Sequence, residues 1–176
     1  MNSNDFQPPR YTYSDYKNWK EDWELINGYP YQLNPMATPK YSALRVELLY
    51  QSSNSLKKNE SDSCEVYHRI DWKINDYTVV RPDFMIVCNK IASEYLEFPP
   101  SLIIELLSPI NQKISRTIKF ELYREQGVKY YLMIDVQKER VEVYELIDNF
   151  YKQTQVNTFQ LDKNCKIEFD FEDIWE

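Results

Sequence analysis

Glycine is nearly absent, with 2 in 176 residues. Tight turns therefore fall to Asn, Asp and the 9 prolines. Glycine-rich phosphate cradles are excluded with it: there is no Walker-type loop, no dinucleotide-binding loop, no nucleophile elbow and no RNP-like segment. Histidine is scarcer still. His68 stands alone, so a mechanism needing two histidines from one chain is excluded, and His68 itself reads as a strand-surface residue. Cys64, Cys88 and Cys165 are odd in number, far apart, and lack any CxxC or Cys/His spacing. Neither a zinc site nor a disulfide is expected of them. No apolar run approaches membrane-spanning length, and the N-terminal MNSNDFQPPR is polar. The expectation is a soluble cytoplasmic protein with no membrane partner. An excess of basic charge is also missing. The net charge is −7 and the pI about 4.9, which argues against a protein that coats nucleic acid nonspecifically. A nuclease stays open, because it needs only a local basic rim and a divalent ion at the scissile phosphate.

What is present suits one domain with a real core over residues 1–176, with 1–10 as a frayed tail. The hydrophobic fraction is 43% and the aromatic fraction 15%, including 15 tyrosines, which read as core and interface filling. A short helix is expected over 13–21, with Ser14 as its cap. WELINGYPYQL, residues 23–33, reads as a hairpin turning at Asn27-Gly28. Thr38-Pro39 starts a helix to about residue 53, followed by a polar loop over 52–63. Residues 64–74 and 77–88 read as two strands of one hairpin. Residues 102–107 form a buried strand, 112–126 a helix stopped by Gly127, and 128–135 another buried strand. A strand at 140–146 and weaker ones near 150–156 and 165–171 follow. The strand–helix–strand unit from 102 to 135 requires a right-handed parallel crossover. The fold class is α/β (α+β): a mixed sheet flanked by helices, with an N-terminal hairpin.

Two apolar strands each contain a carboxylate. In VVRPDFMIV, residues 79–87, it is Asp83; in LIIELLSP, residues 102–109, it is Glu105. A buried carboxylate is costly unless paired or bound to metal. Alternation puts Asp83 on a face with Met85 and Val87, and Glu105 on a face with Ile103 and Leu107. If the strands are neighbours, the two carboxylates converge. They then repel unless a cation lies between them or one is protonated. Hard oxygen donors suit Mg²⁺ or Mn²⁺. Lys119 borders the apolar face of the following helix, in a stripe with Ser115 and Tyr123. From there it reaches back to the carboxylates, to orient water or offset phosphorane charge. Each residue alone has a plainer reading: Asp83 as a turn residue, Glu105 in a structural ion pair with Lys119, Lys119 as a solvated helix residue. Together they are the parts of metal-assisted phosphodiester hydrolysis.

These segments resemble a known family. WELINGYPY looks like the N-terminal hairpin of the Uma-type restriction endonucleases, a bacterial branch of the PD-(D/E)XK nucleases. VVRPDFMIVC resembles their PD strand, PPSLIIELLSP their Glu strand, and KFELYREQGVKYYLMID their Lys-x-x-x-Tyr helix and following strand. FDFEDIW resembles their C-terminal end. The resemblance spans about Tyr13 to Trp175. It implies a restriction-endonuclease-like core with Asp83 and Glu105 as metal ligands and Lys119 as catalytic lysine. The superfamily's usual lysine position, two residues after the Glu, is Leu107. Where the branch often has His in the first long helix this chain has Tyr41, and where it often has Asp before the helix lysine this chain has Ser115. Glu24, Glu47 and Asp71 are further acidic groups near these segments. The leading reading is a Mg²⁺- or Mn²⁺-dependent endonuclease with nucleic acid, DNA first, as partner. Cutting both strands needs two sites, which makes a homodimer a candidate assembly. The alternative is an inactive nucleic-acid or protein interaction module on a degenerate nuclease fold.

Overall fold

Asn27 and Gly28 both adopt left-handed backbone, at φ 54° and 83°. They turn β1 (Trp23–Ile26) into β2 (Tyr29–Gln32), the hairpin that an Asn-Gly pair predicts. The structure is a computed structural model describing residues 8–33, 38–60 and 63–175. The tail expected over 1–10 lies outside these residues except for 8–10, which have no regular structure.

The first helix is shorter than expected. α1 covers Tyr13–Tyr16, and its cap is Thr12, not Ser14. The Asp15 carboxylate accepts from both the Thr12 N–H and its hydroxyl, at 2.7 and 2.9 Å, which fixes the start of the turn. α2 (Pro39–Lys58) begins at Thr38-Pro39 as expected but runs through the region read as a polar loop. Its last turns are polar in composition yet bury Ser52, Ser55 and Leu56. Ser52 satisfies its hydroxyl on the Leu48 carbonyl at 2.6 Å, so a helix of serines can face the core.

The expected 64–88 hairpin forms, but it is broken in the middle and shared between two sheets. β3 (Glu65–His68) pairs with β6 (Phe84–Val87), and β4 (Trp72–Asn75) pairs with β5 (Thr78–Val80). The breaks have visible causes. Arg69 takes a positive φ of 52°, and Pro82 offers no N–H to a ladder. The small sheet has the order β2-β1-β5-β4.

β7 (Leu102–Leu107) and β8 (Tyr130–Asp135) are fully buried and parallel. The crossover between them is α3 (Gln112–Ile114), a π-helical turn at Ser115–Lys119, and α4 (Phe120–Glu125). Gly127, at φ 79°, ends it. β9 (Arg140–Ile147) and β10 (Phe150–Thr154) complete a six-stranded sheet of order β10-β9-β8-β7-β6-β3. β11 (Thr158–Gln160) and β12 (Lys166–Glu168) form a separate hairpin, and the first of these was not expected from the sequence.

The large sheet divides the core in two. On one face Leu44 and Leu48 of α2 and Phe159 and Ile167 of the last hairpin pack on Ile86, Ile104 and Leu132. On the other, Tyr123 of α4 and Trp72 and Val80 of the small sheet pack on Met85, Ile103 and Met133. Leu48 is fully buried. We predict that Leu48→Ala lowers the unfolding free energy by about 2–5 kcal/mol, read as a fall in urea midpoint at unchanged slope. A cost below about 1 kcal/mol would mean that α2 does not seal this face.

Candidate active site

β6 and β7 pair antiparallel, with Phe84 opposite Ile104 and Met85 opposite Ile103. One step further along the ladder sets Asp83 opposite Glu105. The convergence read from the alternation is therefore present. Asp83 Oδ2 accepts the Leu106 N–H at 2.9 Å, which bonds the PD segment to the Glu strand beyond the regular ladder. Its Oδ1 lies 3.6 Å from a guanidinium nitrogen of Arg45 on α2.

Glu105 is buried, and its Oε1 accepts from Lys119 Nζ at 2.7 Å and from the Tyr123 hydroxyl at 2.9 Å. The stripe Ser115, Lys119, Tyr123 faces inward, at 0%, 3% and 0% exposure. Lys119 closes the π turn, a distortion that concentrates at functional sites. It is not a solvated helix residue. It has a second carboxylate at 2.7 Å, Glu24 of β1. Glu24 Oε1 also accepts the Arg81 N–H at 2.7 Å. The structural ion pair weighed for Glu105 and Lys119 exists, as two arms of a buried Glu24–Lys119–Glu105 triad. Glu24 carried the same signal as Glu105, a carboxylate in the apolar run WELI. What brings it here is the pairing of β1 with β5, Leu25 opposite Val79, a contact between residues far apart in sequence.

Charge is not balanced within this cluster. Burial pushes the Glu105 carboxyl up to about 7, with Glu24 and Asp83 adding to it and Lys119 opposing. Burial alone would lower Lys119, but Glu105 and Glu24 outweigh it and raise it, so the ammonium stays charged. Burial and the neighbouring carboxylates also raise Tyr123, which remains a hydroxyl donor.

In front of Glu105 lies a pocket of about 40 Å³ with Asp83, Tyr41, Arg45, Arg69 and Arg81 in its walls. Lys119 is behind Glu105, not in that wall. Arg81 is held by Asp71 and Asp22, each at 2.7 Å, and Arg69 by Asp22 at 2.9 Å. Asp71 thus supports an arginine instead of reaching the carboxylates. Glu47 hydrogen-bonds Gln51 along α2 and lines a different groove. His68 is exposed and its ring lies tilted against Phe84, centroids 5.0 Å apart. Tyr41 donates to the Leu107 carbonyl at 2.7 Å and lies against the Arg45 guanidinium. Ser115 is buried with its hydroxyl oxygen without a hydrogen-bond partner.

The donor set fits a hard divalent cation. Asp83 and Glu105 offer carboxylate oxygens on one pocket, and the carboxyl of Glu105 is raised by the other two. The walls of this pocket carry no sulfur or imidazole, so the donors suit Mg²⁺ or Mn²⁺ better than softer metals.

The fold is a mixed α+β sheet in which two carboxylates converge on one pocket. The sequence pattern of the Uma2 family, described as "Putative restriction endonuclease", matches residues 11–172, and the chain belongs to that family. Restriction-endonuclease-like proteins generally use divalent metal ions. Among solved structures, a putative nuclease belonging to DUF820 from Anabaena variabilis ATCC 29413 shares the fold. It superposes with a TM-score of 0.74 at 18% identity, over 93% of this chain and 97% of that one. None of the curated proteins compared matches the chain. No helix among the described residues is long and apolar enough to cross a membrane.

Two outcomes are expected. Lys119→Ala leaves Glu24 and Glu105 buried without their cation and lowers stability by about 3–5 kcal/mol, measured by chemical denaturation. The second concerns pH. A carboxyl raised from 4.5 to about 7 contributes stability that is full below pH 4.5 and is lost as pH rises through 7. Wild-type stability should decline across that window relative to Glu105→Gln. Parallel pH profiles would show that Glu105 titrates normally.

Proposed function

We propose that this chain is a Mg²⁺- or Mn²⁺-dependent endonuclease that hydrolyses phosphodiester bonds of DNA. The observation carrying this reading is that Asp83 and Glu105 converge on one arginine-walled pocket, with Lys119 bonded to the back of Glu105. Asp83 and Glu105 would hold the ion. When bound, it polarises the phosphate and lowers the pKa of water at the site. Asp83 is oriented by the Leu106 N–H, and Glu105 by Lys119 and Tyr123. Lys119 acts through Glu105. It opposes the rise that burial imposes on Glu105 and aims the carboxyl, so that a bound cation can complete its ionisation as a ligand.

Arg45, Arg69 and Arg81 give the pocket what the acidic chain otherwise lacks, guanidinium groups facing a phosphate. Each already has a carboxylate nearby, so a phosphate and a metal would exchange partners with the existing ion pairs. Cutting both strands of a duplex needs two such sites, and a homodimer goes with this reading.

A second reading, a non-cleaving interaction module, is favoured by one observation: Tyr41 and Ser115 bond or bury themselves without adding an acid or base to the pocket. The test is cleavage of single- and double-stranded DNA and RNA with Mn²⁺ and with EDTA. Wild type is compared with Asp83→Asn, which keeps the side chain's shape and an oxygen to accept the Leu106 N–H. We expect metal-dependent cleavage of DNA that falls by at least about 100-fold in Asp83→Asn. Metal binding without cleavage by wild type would favour the interaction module. Equal cleavage by both proteins would remove Asp83 from the site.

A further inference from the structure

The three cysteines are scattered in sequence, yet the fold gathers them. Cys64 immediately precedes β3 and Cys88 immediately follows β6. Glu65 pairs with Val87, so the next pair outward is Cys64 with Cys88, and their Cα atoms are 3.9 Å apart. Cys165 leads into β12, and its Cα lies 6.4 Å from that of Cys64. All three sulfurs lie within 4.8 Å of one another. Cys64 is in disulfide contact with both Cys88 and Cys165. This overturns the expectation that the cysteines form no disulfide. The hydrogen-bonded strand ladder and the packing of the last hairpin, neither visible as spacing, bring them together.

A sulfur takes one disulfide partner at a time, so the two contacts are alternatives. The three positions also differ in access. Cys88 is half-buried, Cys64 is 5% exposed and Cys165 fully buried. Cys64 and Cys165 belong to the apolar core beneath α2. Thiols and disulfides are neutral and suit that environment. Three thiolates around a divalent ion would bury a net negative charge there. The chemistry favoured is sulfur exchange, not metal ligation.

We propose that Cys64, Cys88 and Cys165 form a redox-modifiable site in which Cys64 hands its disulfide from Cys88 to Cys165, with a hydroperoxide as oxidant. The Cys88 thiolate attacks the peroxide. The O–O bond breaks, leaving a sulfenic acid on Cys88 and releasing alcohol or water. The Cys64 thiol attacks the Cys88 sulfur. The S–O bond breaks, water leaves, and the Cys64–Cys88 disulfide forms, so that two thiols have supplied two electrons to the peroxide. The Cys165 thiolate then attacks Cys64. Its bond to Cys88 breaks, and Cys88 leaves as the thiolate and takes up the proton that Cys165 gave. This last step has no net redox change. It returns the accessible thiol and moves the cross-link from the edge of the large sheet to the β11–β12 hairpin.

The experiment uses the reduced full chain, its Cys88→Ser and Cys165→Ser variants, and one equivalent of hydrogen peroxide. Samples are acid-quenched, alkylated and mapped by peptide mass, with a thiol count after denaturation and a metal content before treatment. Wild type should end with one free thiol, Cys88, and a Cys64–Cys165 link. Cys165→Ser should stop at Cys64–Cys88. Cys88→Ser should oxidise at least about tenfold more slowly, because its remaining thiols are buried. Oxidation of Cys88→Ser at the wild-type rate would overturn the order of events. Links only between chains, or three free thiols in treated wild type, would overturn the site. So would stoichiometric zinc that protects the thiols and is lost in Cys64→Ser, which would make the cluster a metal centre.

Discussion

An ammonium sealed inside a protein must be matched by carboxylates, and the arrangement of this fold follows from how Lys119 meets that demand. Its partners come from two different sheets: Glu24 from the N-terminal hairpin and Glu105 from the central parallel strand. The lysine itself hangs from a π turn in the crossover helix. Three elements far apart in the chain are thus fixed to one nitrogen. Glu24 adds a further tie by accepting the Arg81 N–H at the point where the long hairpin leaves one sheet for the other. A buried triad of this kind contributes little net stability compared with apolar packing. What it provides is a defined mutual placement, because every other docking of the small sheet strands a charge.

The same triad is one positive charge against two negatives, and Asp83 stands close by. Burial does most to push Glu105 toward neutrality, and Glu24 and Asp83 add to it against Lys119. The large sheet also buries Glu142, but two arginines pair with it, whereas here two carboxylates share one lysine. Stability alone would be better served by a hydrocarbon in place of Glu105. A pocket that stores unneutralised carboxylate is instead suited to take up a cation, and the surrounding sheet supplies the rigidity that keeps its donors aimed.

The parts of this arrangement that were legible in the sequence are those set by period and local chemistry. Alternation placed Asp83 and Glu105 on one face, helical spacing placed Lys119 with Ser115 and Tyr123, and Asn27-Gly28 marked its turn. What escaped was set by distant partners. Glu24 carries the same anomaly as Glu105, but only the β1–β5 pairing shows where it goes. The break of the long hairpin at Arg69 and Pro82 depends on a second sheet that composition cannot reveal. The serines at the end of α2 look like a loop until Ser52 is seen bonded back to the helix and Ser55 accepting the Glu168 N–H of β12. The cysteines, dismissed on spacing, meet through strand register and the packing of a terminal hairpin.

The distribution of charge has a consequence for how this molecule meets other bodies. The chain carries seven net negative charges, while three guanidinium groups are gathered at one small opening. A polyanion drifting toward it feels repulsion at long range, and the arginines count only within about a Debye length, ~8 Å in physiological salt, and only once their carboxylate partners are given up or met by a cation. On the proposed function, encounters would be slowed but sorted: an approach in the wrong orientation is turned away before contact, and only one that brings a phosphate to the opening is kept. Such a surface trades speed of capture for selectivity of pose, the reverse of a basic protein that slides along whatever polyanion it touches.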